Sequence, residues 1–233
     1  MSSMSEIEIP IQAPVSRAGN DHGARLRPPL VVGISGASGA IYGVRLLEVL
    51  AGLAVPTHLV VTEWGDKTLR IETQRTPAQV HTLANWWHSI DNQAAPIASG
   101  SHLTTGMAIV PCSVNTLAAL AHGRADNLLL RAADVTLKER RPLVAVVRET
   151  PLSRTHIRNM MACTEAGITI MPPVPGFYAA PQDWDAHIDQ FTGRVLDQFG
   201  IDHELGGRWR SPGNHVKSMG VPTDDSKQSS DPS

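Results

Sequence analysis

Five short apolar runs, each followed by a longer amphipathic stretch, leave few folds open to this chain. The runs are Leu30 to Ile34 (LVVGI), His58 to Val61 (HLVV), Met107 to Val110 (MAIV), Leu143 to Val147 (LVAVV) and Ile168 to Met171 (ITIM). A strand with one wet face alternates apolar and polar residues; these runs are apolar almost throughout, as strands buried on both faces are. Helical spacing follows at Ile41 to Leu53, Thr116 to Ala121, Leu128 to Arg140, Ser153 to Ala166 and Trp184 to Phe199. Ser153 is placed to cap one helix, and Gly167 and Gly200 to end two. Residues 67–90 read as helical with a break at Thr76-Pro77, since proline disfavours helical geometry in the residue before it. The pattern predicts an α/β domain of three layers, a Rossmann-like or flavodoxin-like parallel sheet flanked by helices.

The 233 residues suffice for one such domain. It is expected at residues 30–210, between tails at 1–29 and 211–233 whose Ser, Pro and charge without periodicity predict disorder. Twenty basic against 22 acidic residues give a net charge of −2, which argues against nucleic acid or an anionic membrane as partner. Two cysteines, Cys112 and Cys163, exclude a disulfide scaffold and a four-thiolate zinc site. No apolar run approaches the roughly 18 to 20 residues of a membrane span, and no signal peptide is recognisable, so a cytoplasmic location is expected.

Ligands of an open parallel sheet bind beyond the carboxyl ends of its strands. Past the first run lies Ser35-Gly36-Ala37-Ser38-Gly39, a turn whose small residues let backbone N–H groups approach a phosphate. Past the second is Thr62, past the third Pro111-Cys112-Ser113 leading to Asn115-Thr116, and past the fourth Arg148-Glu149-Thr150. The fifth runs into Pro172-Pro173-Val174-Pro175-Gly176-Phe177-Tyr178. Hydroxyls, glycines and a guanidinium at four strand ends suit a phosphate and a polyol. Plainer alternatives stand beside this: a simple strand-to-helix turn for the glycines, and helix capping for Ser113 and Thr116. Arg131 and Lys138, two helical turns apart, share a face, although Asp134 and Lys138 could form only a solvated ion pair. The histidines, among them His81, His88, His102 and His122, show no metal-binding spacing. Cys112 is either a nucleophile or a small buried residue, and Trp86, Trp87 and Trp184 suit a core or a subunit contact.

Together, VVGISGASGAIYGVRLLEVL (31–50), IASGS (97–101), IVPCSVNTLAALAHGRADNLLLRAADVTLKERRPLVAVVRETPL (109–152) and MPPVPGFY (171–178) resemble the UbiX-type flavin prenyltransferases. The resemblance implies a homododecamer that binds reduced FMN and dimethylallyl phosphate, requires no metal, and makes prenylated FMN for a UbiD-type decarboxylase. It places Gly36, Ala37 and Ser38 on the FMN phosphate or ribityl chain, with Thr62, Ser113, Val114, Asn115, Thr116 and Arg148 beside them. It assigns the allylic phosphate to Tyr178, Arg194, Lys138 and Arg131. Glu72 and Glu149 fall near the reacting centre, and Trp209 closes the site, with some groups supplied by neighbouring subunits. The chain departs from the family at Glu63 and Asn115, which remove positive charge, and at Gly176, where alanine is frequent.

Three rival readings remain at this point. The glycine loop with Glu63 past the second strand suits an NAD(P) oxidoreductase. Pro111 followed by Cys-Ser-Val-Asn partly matches FMN-dependent cysteine decarboxylases. A non-catalytic flavin carrier would need the same binding residues.

Overall fold

The computed structural model describes residues 27–179 and 181–207. Each apolar run is a strand: β1 (Leu30–Ile34), β2 (Thr57–Val61), β4 (Gly106–Cys112), β5 (Leu143–Val147) and β6 (Thr169–Ile170), joined by a further strand, β3 (Trp86–His88). All pairings are parallel, in the order β3-β2-β1-β4-β5-β6. The helices are α1 (Ala40–Gly52), α2 (Glu63–Thr73), α3 (Pro77–His81), α4 (Val114–Ala121), α5 (Leu128–Lys138), α6 (Arg154–Glu165) and α7 (Trp184–Asp197).

Alternate strand residues serve two cores. Leu30, Val32 and Ile34 pack with α1, α2 and α7 on one face, while Val31, Met107 and Ile109 pack with α4, α5 and Cys163 of α6 on the other. This two-sided burial is what made the strands legible as uniformly apolar runs. Across the first face, Arg45 of α1 grips Asp189 of α7 through Nε (2.6 Å) and Nη2 (3.2 Å), and Tyr42 meets Phe191 edge-on at 5.2 Å.

Residues 67–90 are not the single interrupted helix that the spacing predicts. The helix begins earlier, at Glu63, because the Thr62 hydroxyl accepts the Gly65 N–H (3.0 Å) and caps it. The break holds: Thr76 and Gln79 form a capping box and Pro77 opens α3. Beyond α3, however, Trp86, Trp87 and His88 pair with His58, Leu59 and Val60 as an edge strand. Aromatic side chains favour a pleated surface, and in three residues no periodicity can show.

The order of strands reverses between β1 and β4, so the crevice for a ligand opens at their carboxyl ends. One side chain ties that point together. The buried Ser35 hydroxyl donates to the Pro111 carbonyl (3.0 Å) and accepts the Ser113 N–H (2.8 Å). Pro111, which has no N–H for the ladder, coincides with a shift in the β4–β5 register between Ile109 and Cys112.

Candidate functional site

Three helices, α1, α2 and α4, start at the carboxyl ends of β1, β2 and β4. Thr62 caps α2, and Ser113 caps α4 by accepting the Thr116 N–H (3.2 Å) while donating to Thr116 Oγ1 (3.1 Å). Capping is therefore real, but a cap satisfies only one of the first-turn donors and leaves others facing the crevice. At α1 the turn requires glycine twice. Gly39 has φ +98°, and a Cβ on Gly36 would lie 2.4 Å from Trp64 Cβ. Two donors at the start of α1 are taken: Glu72 Oε2 accepts the N–H groups of Gly39 (2.8 Å) and Ala40 (2.9 Å). With a carboxylate already at that helix end, a phosphate is better received at α2 and α4.

Next to this crevice a cavity of about 380 Å³ is lined by Ser38, Gly39, Tyr42, Arg148, Glu149, Thr150, Trp184 and residues 172–175. Arg148 leaves β5 exposed to solvent, and Glu149 folds back to accept the Thr150 N–H (2.9 Å). Burial raises the Tyr42 phenol above its ordinary pKa, and the Arg148 charge opposes this. The sequence reading did not single out Tyr42; its one signal is a place three residues beyond Gly39, one turn into α1. Trp184 is 75 % exposed at the cavity rim, so it is not core.

Tyr178 and Arg194 meet in a second cavity of about 310 Å³ with Gln190, Asp197 and His203. Arg194 pairs with Asp197 (3.3 Å). Gln190 Oε1 accepts the Gly176 N–H (3.1 Å), fastening the segment before Tyr178 to α7. A Cβ on Gly176 would lie 2.5 Å from Gln190 Nε2, so the glycine permits this contact.

Arg131 and Lys138 do share a side of α5, facing residues 97–101. Arg131 Nε donates to the Ala98 carbonyl (3.1 Å), and a Cβ on Gly100 would lie 2.7 Å from Lys138 Nζ. The ion pairs differ from expectation: Asp134 binds Arg131 (2.7 Å), and Lys138 turns to Glu139 (2.6 Å). Because α5 leads back into the start of β5, Lys138 lies toward the amino edge of the sheet, whereas Arg148 leaves its carboxyl edge. A single protomer thus keeps Ser38, Glu72, Arg148 and Glu149 in one region, Tyr178 and Arg194 in a second, and Arg131 and Lys138 in a third. Trp209 lies outside the described residues.

Cys112 is fully buried, and burial pushes its thiol far above the ordinary range, which leaves the small-core-residue reading. Glu63 is engaged by Lys67 (2.8 Å), whose charge holds its carboxyl below the usual value. Among the described residues no group of three or more His, Cys, Asp or Glu is arranged to hold a metal ion, and no helix is long and apolar enough to cross a membrane.

A doubly wound sheet with hydroxyl-capped helices and a glycine turn at its switch point defines a mononucleotide-binding α/β protein. The family model described as Flavoprotein matches residues 20–195. The chain is 53% identical over 184 residues to the flavin prenyltransferase UbiX of Salmonella typhimurium, covering 78% of this chain and 97% of that one. Among solved structures it resembles AnUbiX in complex with FMN and dimethylallyl pyrophosphate, with TM-score 0.78 and 48% identity over 79% of this chain and 98% of that one. It also resembles a dodecameric FMN-dependent UbiX-like decarboxylase from Escherichia coli O157:H7, with TM-score 0.76 and 46% identity over 78% and 99% of the two chains. The chain belongs to the UbiX flavin prenyltransferases, so it is a flavoprotein and a transferase.

The residues present fit a flavin mononucleotide. Two capped helix ends carry N–H donors of the kind a phosphate needs, Ser38 lines the cavity with a hydroxyl of the kind a polyol needs, and that cavity, beside Tyr42 and Arg148, is of a size to take part of a planar ring.

Proposed function

We propose that this enzyme transfers the dimethylallyl group of dimethylallyl phosphate to N5 and C6 of reduced FMN, and that the prenylated FMN passes to a UbiD-type decarboxylase. The observation that supports this reading is two separate sets of groups suited to a phosphate: capped helix ends at one edge of the sheet, and the cations Arg131 and Lys138 toward the other. A flavin monophosphate needs one set and an allylic phosphate needs a second. Their separation within one protomer is met when a neighbouring copy brings its Arg131 and Lys138 to the carboxyl edge, in a homododecamer such as one solved relative forms.

The flavin supplies the nucleophilic N5 and C6 positions. The chain's part is positioning and electrostatics. Thr62 and the residues from Ser113 to Thr116 hold the phosphate, Gly36 to Ser38 the ribityl chain, and Arg148 lines the cavity offered to the ring. Lys138, Arg131 and Arg194, with the Tyr178 hydroxyl, neutralise the leaving phosphate as its bond to the allylic carbon stretches. Trp209 and the proline segment keep water from the allylic cation, whose charge an aromatic face favours. Glu149 and Glu72 orient the released phosphate, so that it can carry protons for ring closure.

Anaerobic incubation with reduced FMN and dimethylallyl phosphate, followed by mass spectrometry of the extracted flavin, tests the proposal. A gain of one C5 unit is expected. Flavin that binds and is released unchanged would leave a carrier, and loss of carbon dioxide from a cysteinyl peptide would mark a cysteine decarboxylase.

A further inference from the structure

Three histidines that are distant in sequence form a chain of imidazoles outside the site described above. His58, on β2 and 3% exposed, places Nδ1 at 2.9 Å from His88 Nε2 and Nε2 at 3.1 Å from His102 Nε2. The Trp86 ring stacks on His58 at 4.6 Å. One metal ion cannot gather all three rings, because His58 offers opposite nitrogens to its two neighbours. The arrangement instead suits hydrogen bonds. Three neutral imidazoles carry three N–H hydrogens, of which two fill the N···N contacts and the third sits at one end.

The far end of this chain is the residue that follows Ser101. Residues 98–104 are held on their other side by cations: Arg131 on the Ala98 carbonyl (3.1 Å), and Arg141 on the carbonyls of Gly100 (2.8 Å) and His102 (2.8 Å) and on Thr104 Oγ1 (3.2 Å). Lys138 packs against Gly100. This segment therefore lies between the imidazole chain and the two cations, and a shift of its backbone moves the Arg131 guanidinium bound to it.

We propose that the His88–His58–His102 chain positions residues 97–101, and through them Arg131 and Lys138, to receive the phosphate of the allylic donor; the proposal rests on the phosphate-binding role given to those two cations above. One added proton occupies the open end of the chain and leaves both contacts intact. A second sets N–H against H–N and releases the segment. Burial, and after it the Arg141 charge, opposes protonation of His102; burial and the neighbouring imidazoles disfavour the charged forms of His58 and His88, and Glu63, Asp66 and His81 share a cavity with His88. The segment is accordingly held near neutral pH and let go in acid.

The full-length protein tests this with His102→Phe, which removes the terminal link at a half-buried position, and His58→Leu, which removes the centre. Kinetics with reduced FMN should show the KM for dimethylallyl phosphate rising about tenfold in His102→Phe, while kcat and the FMN dissociation constant stay within about twofold. In the wild type the donor KM should hold from pH 7 to about 5 and climb at lower pH, where the second proton is taken up, and in His102→Phe it should be flat. A donor KM unchanged in the variant, or FMN affinity lost in step with donor affinity, overturns the positioning role. Should His58→Leu not fold, His102→Phe decides alone. Should the wild type bind FMN but transfer no prenyl group, the functional reading falls. Calorimetric titration with inorganic phosphate still tests the device: weaker binding in His102→Phe supports it, and equal binding refutes it.

Discussion

The Glu72 carboxylate accepts the N–H of Gly39 at 2.8 Å and that of Ala40 at 2.9 Å, so an acidic side chain of α2 occupies the positive end of α1. Glu72→Gln keeps one acceptor oxygen and removes the charge that the helix end favours. The expected loss is about 1 kcal/mol of stability in a urea titration. FMN retention should survive, because the phosphate is assigned to α2 and α4, whereas prenyl transfer should fall. Loss of flavin from Glu72→Gln would return the phosphate to the α1 turn.

Thiol labelling tests the reading of Cys112. Its side chain is fully buried, its thiol faces the Ser113 carbonyl at 3.7 Å, and burial holds Cys163, its neighbour in the same core, at a pKa of about 11. Neither thiolate forms appreciably at neutral pH. Native protein should resist iodoacetamide for hours and take up two labels in denaturant, and Cys112→Ala should retain prenyl transfer. Rapid native labelling with loss of activity would reinstate Cys112 as a nucleophile.

The sheet was legible because its central strands are buried on both faces. LVVGI and LVAVV contain no polar residue, and β1 and β5 coincide with them. β3 was not, since its order comes from pairing with β2 and from the stacking of Trp86 on His58, neither of which has a local signature. The residues that lie past the carboxyl ends of the strands could be placed there from sequence, because a buried run fixes where its strand ends. What sequence left open was competition. Glu72 reaches the α1 donors from 33 residues away, and Asp134 chooses Arg131 over Lys138. Such choices depend on side-chain reach in three dimensions, as does the imidazole chain, whose members are 30 and 44 residues apart.

Stability should depend on pH through His58. Burial first, then the charges of His88 and His102, lower its pKa from 6.5 to about 3 in the native state. The unfolded chain binds a proton near pH 6.5 that the native protein refuses, so stability is complete above that pH and declines as the pH falls through the window toward 3. At pH 5 the loss from this group alone is about 2 kcal/mol. Urea titrations at pH 7.5 and at about pH 5 should differ by that amount in the wild type and by much less in His58→Leu. Equal differences in the two proteins would mean that other groups carry the slope.

Subunit complementation reads the shared site directly. Lys138→Ala should bind FMN and fail to transfer the prenyl group, and Arg148→Ala should purify with little yellow colour. If each site takes Arg148 from one protomer and Lys138 from another, assemblies mixed from the two inactive variants contain some sites with both residues intact. Random mixing of equal amounts gives about one quarter of sites wild-type at both positions, so close to a quarter of the wild-type prenyl transfer should return. Sites built within one protomer would give none, because every chain in the mixture carries a defect. Refolding the two variants together, with each variant refolded alone as control, and measuring the C5 mass gain of the flavin separates these outcomes.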